Sequence, residues 1–368
     1  MGAFDEFIGR DAVDGLRREL LRADPSREWG ALGAVHASLE SHALKARSDL
    51  VARALGADVG NDYAVAAAAY RTALASELFR GWTIWPVTES AVTLALADGS
   101  PAAFDDALAL LAELTPRLTS EFAIRRLLIA DLDRGLAAVR EWVHSEDEHV
   151  RRLASEGTRP YLPWAVRVPA LLGRSLDLVP VLEALRDDDS EYVRRSVANH
   201  LNDIARHDPS LVVDVARRWM DGAEVPRERT WVVKHGLRTL VKKGDPGALA
   251  VLGFTASDLT VSTPVLSATS VTVPGELSFD VEVRNDGTAP ARIVLDYVVH
   301  YRKANGSLSP KVFKLSSATL AAGETRRFGR SHAFRPLTTR VHHGGPHALQ
   351  VQANGVLSKE SAFDVVVA

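Results

Sequence analysis

A glutamate at the end of a predicted helix is the first residue of this sequence that suggests chemistry. Val150 and Leu153 recur at helical spacing, and Gly157 and Pro160 then stop the helix, so Glu156 falls in its last turn. The helix macrodipole favours cations at that end, so a carboxylate there carries a small cost. Two interpretations stay open on spacing alone: a residue placed for chemistry, or a solvated glutamate that happens to end a helix.

The same segment recurs further along the chain with a shift of 43 residues. Under this shift the triplet at 193–195 falls on the triplet at 150–152, and Asn199 falls on Glu156. Helix pairs that repeat at this length are typical of HEAT-like solenoids, in which equivalent positions line one continuous surface. Asp203 follows Asn199 by one helical turn on the same face. We therefore expect Glu156 and Asp203 on neighbouring helices that face the same groove.

A third carboxylate, Glu121, follows a Thr-Ser pair that is typical of a helix start. Ser120 is the predicted N-cap, and Glu121 would then lie in the first helical turn, where its charge is favourable. A structural role therefore explains Glu121 more easily than it explains Glu156.

Composition excludes several classes of protein. The 368 residues include no cysteine, which rules out disulfides, thiolate nucleophiles, iron–sulfur clusters and zinc–cysteine sites. No apolar run approaches the roughly 20 residues of a membrane span, and the first residues lack the features of a signal peptide. We therefore expect a cytoplasmic, nucleoid-associated protein without a membrane partner.

Basic residues are concentrated locally although the net charge is −3. Arginine pairs recur through the helical region, and a nucleic-acid binder of acidic total charge must gather its cations in this way. Solvated helix faces carry such pairs too, so the pattern only favours DNA. Paired cations at equivalent repeat positions would follow one DNA strand, and we expect Arg152, Arg159 and Arg195 to contact phosphates.

The periodicity changes from helical to alternating after Phe254. The sequence predicts a HEAT-like repeat α-solenoid over residues 1–256, followed by an immunoglobulin-like β-sandwich over residues 257–368. The second domain carries 12 basic and 9 acidic side chains. Six of the 12 basic residues lie in two predicted loops, 302–314 and 335–347, which include Lys311 and Arg340. These loops are candidates for a second contact with DNA.

Several motifs together resemble the AlkC-like DNA alkylation-repair glycosylases, relatives of the AlkD-type enzymes. The motifs span nearly the whole chain: GWTIWPVTE at 81–89, TSEFAIR at 119–125, VRRLASEGTRP and LPW within 150–164, EYVRRSVANHLNDI at 191–204, RKANGSLSPKVFK at 302–314, and TTR with GPH at 338–347. Two positions depart from the family pattern. Tyr161 replaces an expected basic residue, which would weaken a phosphate contact, and Arg126 replaces an expected proline, which would straighten the helix carrying Glu121.

The resemblance implies a monofunctional DNA glycosylase of base excision repair. Such an enzyme hydrolyses the N-glycosidic bond of cationic N-alkylated bases, chiefly 3-methyladenine, in duplex DNA without flipping the base fully into a pocket. By motif position Glu121, Glu156 and Asp203 match the family's active-site acids. The expected contacts to DNA are made by Arg152, Arg159, Trp164, Arg195, Asn199, Lys311 and Arg340.

The implied chemistry needs no metal or cofactor, because a base methylated at N3 is already a cationic leaving group. The expected partner is double-stranded DNA containing alkylated bases, bound by a monomer. A second class of function stays open, since HEAT-like solenoids are often non-catalytic scaffolds that bind DNA or protein partners.

Overall fold

The chain divides into two compact units, and helices precede strands as the sequence predicts. The structure is a computed structural model and describes residues 4–254, 258–336 and 341–367. The units are Met1–His207 and Asp208–Ala368. In the described ranges, no helix is both long and apolar enough to cross a bilayer.

The N-terminal unit is formed by helices joined by short turns. They are α1 (Arg10–Ala23), α2 (Gly30–Ala34), α3 (His36–Leu39), α4 (Leu44–Asp58), α5 (Tyr63–Ala73), α6 (Ile84–Asp98), α7 (Pro101–Leu114), α8 (Ile124–Ala130), α9 (Leu132–Trp142), α10 (Glu148–Glu156), α11 (Ser175–Leu185) and α12 (Glu191–Ile204), with short 3-10 helices at Asp5–Ile8 and Pro169–Gly173.

The predicted repeat corresponds to two helix pairs, α9–α10 and α11–α12, and α10 packs against α12. Equivalent arginines make the same bonds in both copies. Arg151 Nη1 donates to the carbonyls of residues 145 and 146 at 2.9 Å each. Arg194 Nη1 donates to the carbonyls of residues 188 and 189 at 2.5 and 2.9 Å. The first arginine of each pair therefore ties down the turn between the two helices of its own repeat.

The N-cap predicted at Ser120 is wrong. The Ser120 hydroxyl is buried and donates to the Leu111 carbonyl at 2.8 Å, so it does not accept from a helix amide. Helix α8 begins only at Ile124, and Glu121 lies in the turn before it. Arg126 consequently cannot act by straightening a helix that carries Glu121. Its Nη1 instead donates to Thr93 Oγ1 at 2.6 Å.

The C-terminal unit combines four short helices with two β-sheets. The helices are α13 (Pro209–Trp219), α14 (Arg227–Gly236), α15 (Arg238–Lys242) and α16 (Pro246–Val251). The strands are β1 (Leu259–Val261), β2 (Val265–Leu266), β3 (Ser270–Val273), β4 (Gly275–Asn285), β5 (Ala291–Arg302), β6 (Leu308–Leu320), β7 (Thr325–Phe334), β8 (Gly345–Ala353), β9 (Val356–Leu357) and β10 (Ser361–Val367). The predicted domain boundary at residues 256 and 257 falls outside the described ranges and stays a prediction.

One sheet has the order β1-β4-β2 with β7 also paired to β4, and the other has the order β3-β10-β8-β5-β6 with β9 paired to β8. Inward side chains of both sheets form one apolar core, to which β5 contributes Ile293, Leu295 and Tyr297. The segment 302–314 is mostly strand rather than the predicted loop. Its turn is short, with the Lys303 amide donating to the Ser307 carbonyl at 2.8 Å, so Lys311 lies on β6.

The helical segment of this unit touches the β-sandwich at two glycines. Gly244 and Gly355 have φ of +73° and +88°, and a Cβ on Gly355 would lie 2.6 Å from the Gly244 carbonyl oxygen. A side chain at Gly355 would therefore meet both backbone strain and a backbone clash.

We expect Gly355→Ala to destabilise the protein more than Gly323→Ala. Gly323 also has positive φ, at +74°, but a Cβ there meets no described atom within 4 Å, so only strain applies. The left-handed conformation costs about 1–2 kcal/mol for a residue with a side chain. The clash should add roughly 1–3 kcal/mol at Gly355. Denaturant unfolding of the full chain measures the difference, and equal losses for both variants would contradict the contact.

Candidate active site

The three predicted acids lie close together in the N-terminal unit and are joined by two arginines. Arg152 Nη1 lies 2.5 Å from Glu121 Oε2, and its Nη2 lies 3.5 Å from Glu156 Oε1. Arg159 Nη1 lies 2.5 Å from Glu156 Oε1, and its Nε lies 2.9 Å from Asp203 Oδ2. We call these five residues the carboxylate cluster. Its charges alternate in sign, and three carboxylates against two guanidinium groups leave one excess negative charge.

Glu156 and Asp203 are positioned by the C-terminal ends of two neighbouring helices, α10 and α12. Glu156 is the last residue of α10, as predicted, and Asp203 is in the last turn of α12. Gly157 follows α10 at a point where the chain passes close to α8, and a Cβ on Gly157 would lie 2.8 Å from Ile124 Cγ2. The chain then turns, and Arg159 reaches back between Glu156 and Asp203.

The cluster is buried, and its environment shifts the pKa of Glu121, Arg152 and Arg159. Glu156 and Asp203 are 6% and 5% exposed. Burial raises the pKa of Glu121, and the nearby Glu156 carboxylate adds to this, whereas Arg152 opposes it. Burial disfavours the charge of Arg152 and Arg159, but the neighbouring carboxylates outweigh burial and raise the pKa of both guanidinium groups. Both arginines therefore stay cationic and hold the acids in place.

Hydroxyl groups complete the positioning of the acids. Ser196 Oγ of α12 donates to Glu156 Oε2 at 2.6 Å, and Thr119 Oγ1 donates to Glu121 Oε2 at 2.9 Å. Both oxygens of Glu156 thus accept from the protein. Asp203 Oδ1 receives no hydrogen bond from the residues that the structure describes, although Asp203 Oδ2 accepts from Arg159. Asp203 therefore keeps an acceptor available for a water molecule.

A buried arginine braces the loop that carries Arg159. Arg125 Nη1 donates to the carbonyls of Gly157 and Arg159 at 3.0 and 2.8 Å, and its Nε donates to the Val166 carbonyl at 2.5 Å. Burial lowers the pKa of Arg125 to about 10, so it remains charged at neutral pH. In the sequence, Arg125 stands out only as one member of an arginine pair with Arg126. The run of Gly and Pro just after Glu156 could have suggested that a loop there needed such a brace.

The remaining predicted site residues of the N-terminal unit differ in exposure and in the partners they contact. Trp164 follows the braced loop, has φ of +64°, and is 68% exposed, with its ring centroid 6.2 Å from that of Phe4. Arg195 is exposed on α12 and pairs with Glu191 at 2.6 Å. Asn199 is half-buried on the same helix.

Two predicted residues belong to the C-terminal unit. Lys311 is exposed on β6, with its amino group 5.3 Å from the centroid of the Phe313 ring. Arg340 lies outside the described residues.

Trp82 and Trp85 of the motif at 81–89 differ in burial. Trp85 is buried and its ring centroid lies 4.8 Å from that of Phe122, next to Glu121. Trp82 is only partly buried and stacks on Phe7 with ring centroids 4.7 Å apart.

Tyr161, which replaces an expected basic residue, is itself flanked by guanidinium groups. The guanidinium carbon of Arg206 lies 3.9 Å and that of Arg167 4.9 Å from the centroid of the Tyr161 ring.

The sequence also missed Ser196 and His200, both buried on α12. Burial lowers the pKa of His200 to about 3, so this imidazole is neutral at physiological pH. Both residues look like ordinary core-facing positions of an amphipathic helix, and only the packing of α10 on α12 shows what they touch.

Comparison with known proteins finds two family models along the chain. A family model described as "DNA alkylation repair enzyme" matches residues 118–235, which include the whole carboxylate cluster. A second, described as the C-terminal Ig-like domain of the uncharacterised protein YhaZ, matches residues 260–367 and confirms the predicted immunoglobulin-like class.

Two relatives cover most of the chain. YhaZ of Bacillus subtilis is 38% identical over 263 residues, which are 71% of this chain and 72% of YhaZ. The solved structure of the Pseudomonas fluorescens alkylpurine DNA glycosylase AlkC, bound to DNA containing an abasic site analog, superposes with a TM-score of 0.86 at 29% identity over 99% of both chains. With a family model on the cluster, a relative of this identity and a match over the full length, the chain belongs to the DNA alkylation repair enzyme family, in the branch that carries a YhaZ-type C-terminal Ig-like domain.

Proposed function

We propose that this protein is a monofunctional alkylpurine DNA glycosylase that releases cationic N-alkylated bases, chiefly 3-methyladenine, from duplex DNA. The observation that carries the proposal is the carboxylate cluster, which brings three carboxylates together in a buried place. AlkC, to which the chain is similar over its whole length, is an alkylpurine DNA glycosylase.

The reaction needs a negative charge rather than an acid catalyst. When the N-glycosidic bond breaks, its electron pair neutralises the methylated base, and positive charge develops on the sugar. A carboxylate about 4 Å from that charge stabilises it by roughly 4 kcal/mol at an effective dielectric near 20. This corresponds to about a thousandfold in rate. An uncharged adduct lacks the good leaving group, so the same site would leave it nearly untouched.

The two central acids have different roles in this proposal. Glu156 accepts from Arg159 and Ser196, so its carboxylate is fixed and acts by charge. Asp203 accepts from Arg159 through Oδ2 only, and we assign it the attacking water. The water adds to the sugar carbon C1′ as the base leaves, and its proton passes to Asp203 and then to solvent. Glu121 supports Arg152 and completes the charge balance.

Because the departing base needs no proton from the protein, it need not be enclosed in a pocket. We therefore propose that cleavage proceeds without full base flipping. The exposed Trp164 would contact the DNA beside the lesion.

The remaining contacts with DNA would be electrostatic. Arg195 and Asn199 lie on the accessible part of α12 and would meet the backbone. Arg152 and Arg159 are held by carboxylates, so their expected phosphate contacts would add to a structural role.

The C-terminal unit would supply a second contact with the duplex. Arg302, Lys303, Lys311 and His343 line one cleft of about 310 Å³ on its surface. We propose that this basic edge, together with Arg340, binds backbone phosphates and raises affinity without contributing catalytic groups.

A non-catalytic scaffold is the competing proposal. Burying three carboxylates with two arginines costs desolvation energy that apolar packing would avoid. A scaffold gains nothing from burying these charged groups, whereas a site that stabilises a cation needs buried carboxylates. The cluster therefore favours the enzyme.

We expect Glu156→Gln and Asp203→Asn each to lower the single-turnover rate of 3-methyladenine release roughly a hundredfold to a thousandfold. Binding to methylated duplex should be retained, because neither acid needs to contact a phosphate. Glu191→Gln is the matched control, since Glu191 is an exposed acid on α12 outside the cluster. If both cluster variants excise at the wild-type rate, these acids are structural and the assignment fails.

The raised pKa of Glu121 predicts a stability effect with a defined sign. A buried acid whose pKa is raised on folding costs stability once it is ionised, and the cost vanishes below the pKa of the unfolded chain. Glu121→Gln should therefore raise the unfolding temperature at neutral pH, and the gain should shrink as the pH falls through the raised pKa of Glu121 and vanish below about 4.

Glu77 supplies a control of opposite sign. Its pKa is lowered by a hydrogen bond from Arg117, so Glu77→Gln should lower the unfolding temperature slightly at neutral pH and have no effect in acid. Thermal unfolding between pH 4 and pH 8 measures both variants. A gain for Glu121→Gln that grows in acid would contradict the burial of an ionised Glu121.

A further inference from the structure

The C-terminal unit contains a cleft that the proposed glycosylase chemistry does not use. It has a volume of about 540 Å³ and lies between the helical segment and strands β5 and β6. A cavity of this size is within the range of roughly 300–1,000 Å³ that is usual for small-molecule sites.

Three kinds of side chain line the cleft, each suited to a different part of a ligand. Cations form its rim: Lys234, Arg238, Lys242, Arg292 and Lys314. Apolar groups form a wall that includes the Phe254 ring, over which the Arg292 guanidinium carbon lies at 5.1 Å. A single carboxylate, Asp296, also lines the cleft.

Asp296 is an unusual residue for its position in β5. It is 4% exposed and lies on the face of β5 opposite the apolar core. The register between β5 and β6 shifts beside it, because Leu315 on β6 has no partner on β5 and forms a β-bulge there. β5 itself keeps its regular alternation, which directs the Asp296 carboxylate away from the apolar core and towards the cleft.

The Asp296 carboxylate lacks a close partner. The Lys314 amino group is 3.9 Å away, which is beyond hydrogen-bond distance. Over the described ranges, no donor reaches either carboxylate oxygen of Asp296. Burial raises its pKa, and the charges of Lys314 and Lys242 oppose that rise. A buried carboxylate without donors is costly, and a ligand that brings N–H groups would remove the cost.

The cleft is formed before any ligand arrives. Its two sides meet at Gly244 and Gly355, where a Cβ on either residue would lie within 2.7 Å of backbone atoms of the other. This contact fixes the helical segment against the sandwich, so little ordering would be needed on binding.

We propose that this cleft is a nucleotide-binding site, with the amino and imino N–H groups of the base donating to Asp296 and the phosphate bound by the lysine rim. Guanine fits best, because its N1–H and N2–H groups are adjacent donors that match the two oxygens of a carboxylate. Thymine offers one imino N–H between two carbonyls that the carboxylate would repel. The Phe254 ring supplies an apolar surface for the base.

Isothermal titration of the full-length protein with deoxyguanosine, deoxyadenosine and thymidine monophosphates and with inorganic phosphate tests the proposal. We expect deoxyguanosine monophosphate to bind at least tenfold more tightly than thymidine monophosphate or phosphate. Asp296→Asn should abolish that preference, because an amide replaces one of the two acceptor oxygens with an N–H donor that faces a donor of guanine. The measurement contains no DNA, so it is independent of the proposed glycosylase activity.

Lysine variants keep the test decisive if Asp296→Asn does not fold. Lys242→Ala combined with Lys314→Ala should weaken every nucleotide at least tenfold. Lys243→Ala is the matched control, because Lys243 is an exposed neighbour that does not line the cleft, and it should change nothing. Equal weakening by the double variant and by Lys243→Ala would indicate that the general positive charge of this surface, rather than the cleft, binds the nucleotides. That result would overturn the proposed site.

Two further outcomes would also overturn the proposal. The first is no binding of any nucleotide at millimolar concentration, and the second is equal affinity for all three nucleotides and phosphate. A duplex with a guanine overhang distinguishes the source of the ligand. Competition with deoxyguanosine monophosphate by this duplex, but not by a blunt duplex, assigns the site to a DNA strand, and competition by neither assigns it to the free nucleotide.

Discussion

The arrangement of the N-terminal unit depends on one guanidinium group held between two carboxylates. Arg159 lies 2.5 Å from Glu156 and 2.9 Å from Asp203, and all three side chains are buried. Without the cation, the two carboxylates would repel each other in a place of low dielectric. Arg159 lies between them and offsets that repulsion, so the two acids are held close together.

That constraint extends into the backbone. Arg159 can reach both acids only because α10 ends at Glu156 and the chain turns, and Arg125 holds that turn by donating to the carbonyls of Gly157 and Arg159. The apolar packing of α10 on α12 offsets the free-energy cost of burying these charges. Buried charges of this kind lower the stability of the fold, but they provide an electric field that is oriented before the reaction begins. Such a loss of stability at the active site is common in enzymes.

The sequence predicted those features that depend on local spacing. The end of α10 at Glu156 follows from Gly157 and Pro160, and the two helix pairs follow from the shift of 43 residues. The arginine pairs were interpreted less well. Arg151 and Arg194 tie down turns within their own repeats. Arg152 binds Glu121, which lies before α8 and which no spacing in the sequence brings near it.

The misplaced features share a cause in tertiary packing. Ser120 resembles an N-cap by type, but the Leu111 carbonyl takes its hydroxyl, and α8 begins four residues later. The segment 302–314 contains turn residues, yet pairing with β5 makes most of it strand. Asp296 reads as one polar residue in a strand, and only the helical segment that covers this face of β5 shows that it lines a cleft.

The central claim is that a fixed negative charge, rather than an enclosing base pocket, selects the substrate. Single-turnover excision from two duplexes of identical sequence tests it directly, one carrying 3-methyladenine and the other carrying its uncharged 3-deaza analogue. Both bases have the same shape, but only the first leaves as a cation that becomes neutral. The account predicts rapid release of 3-methyladenine and essentially none of the analogue, whereas similar rates for both would contradict it.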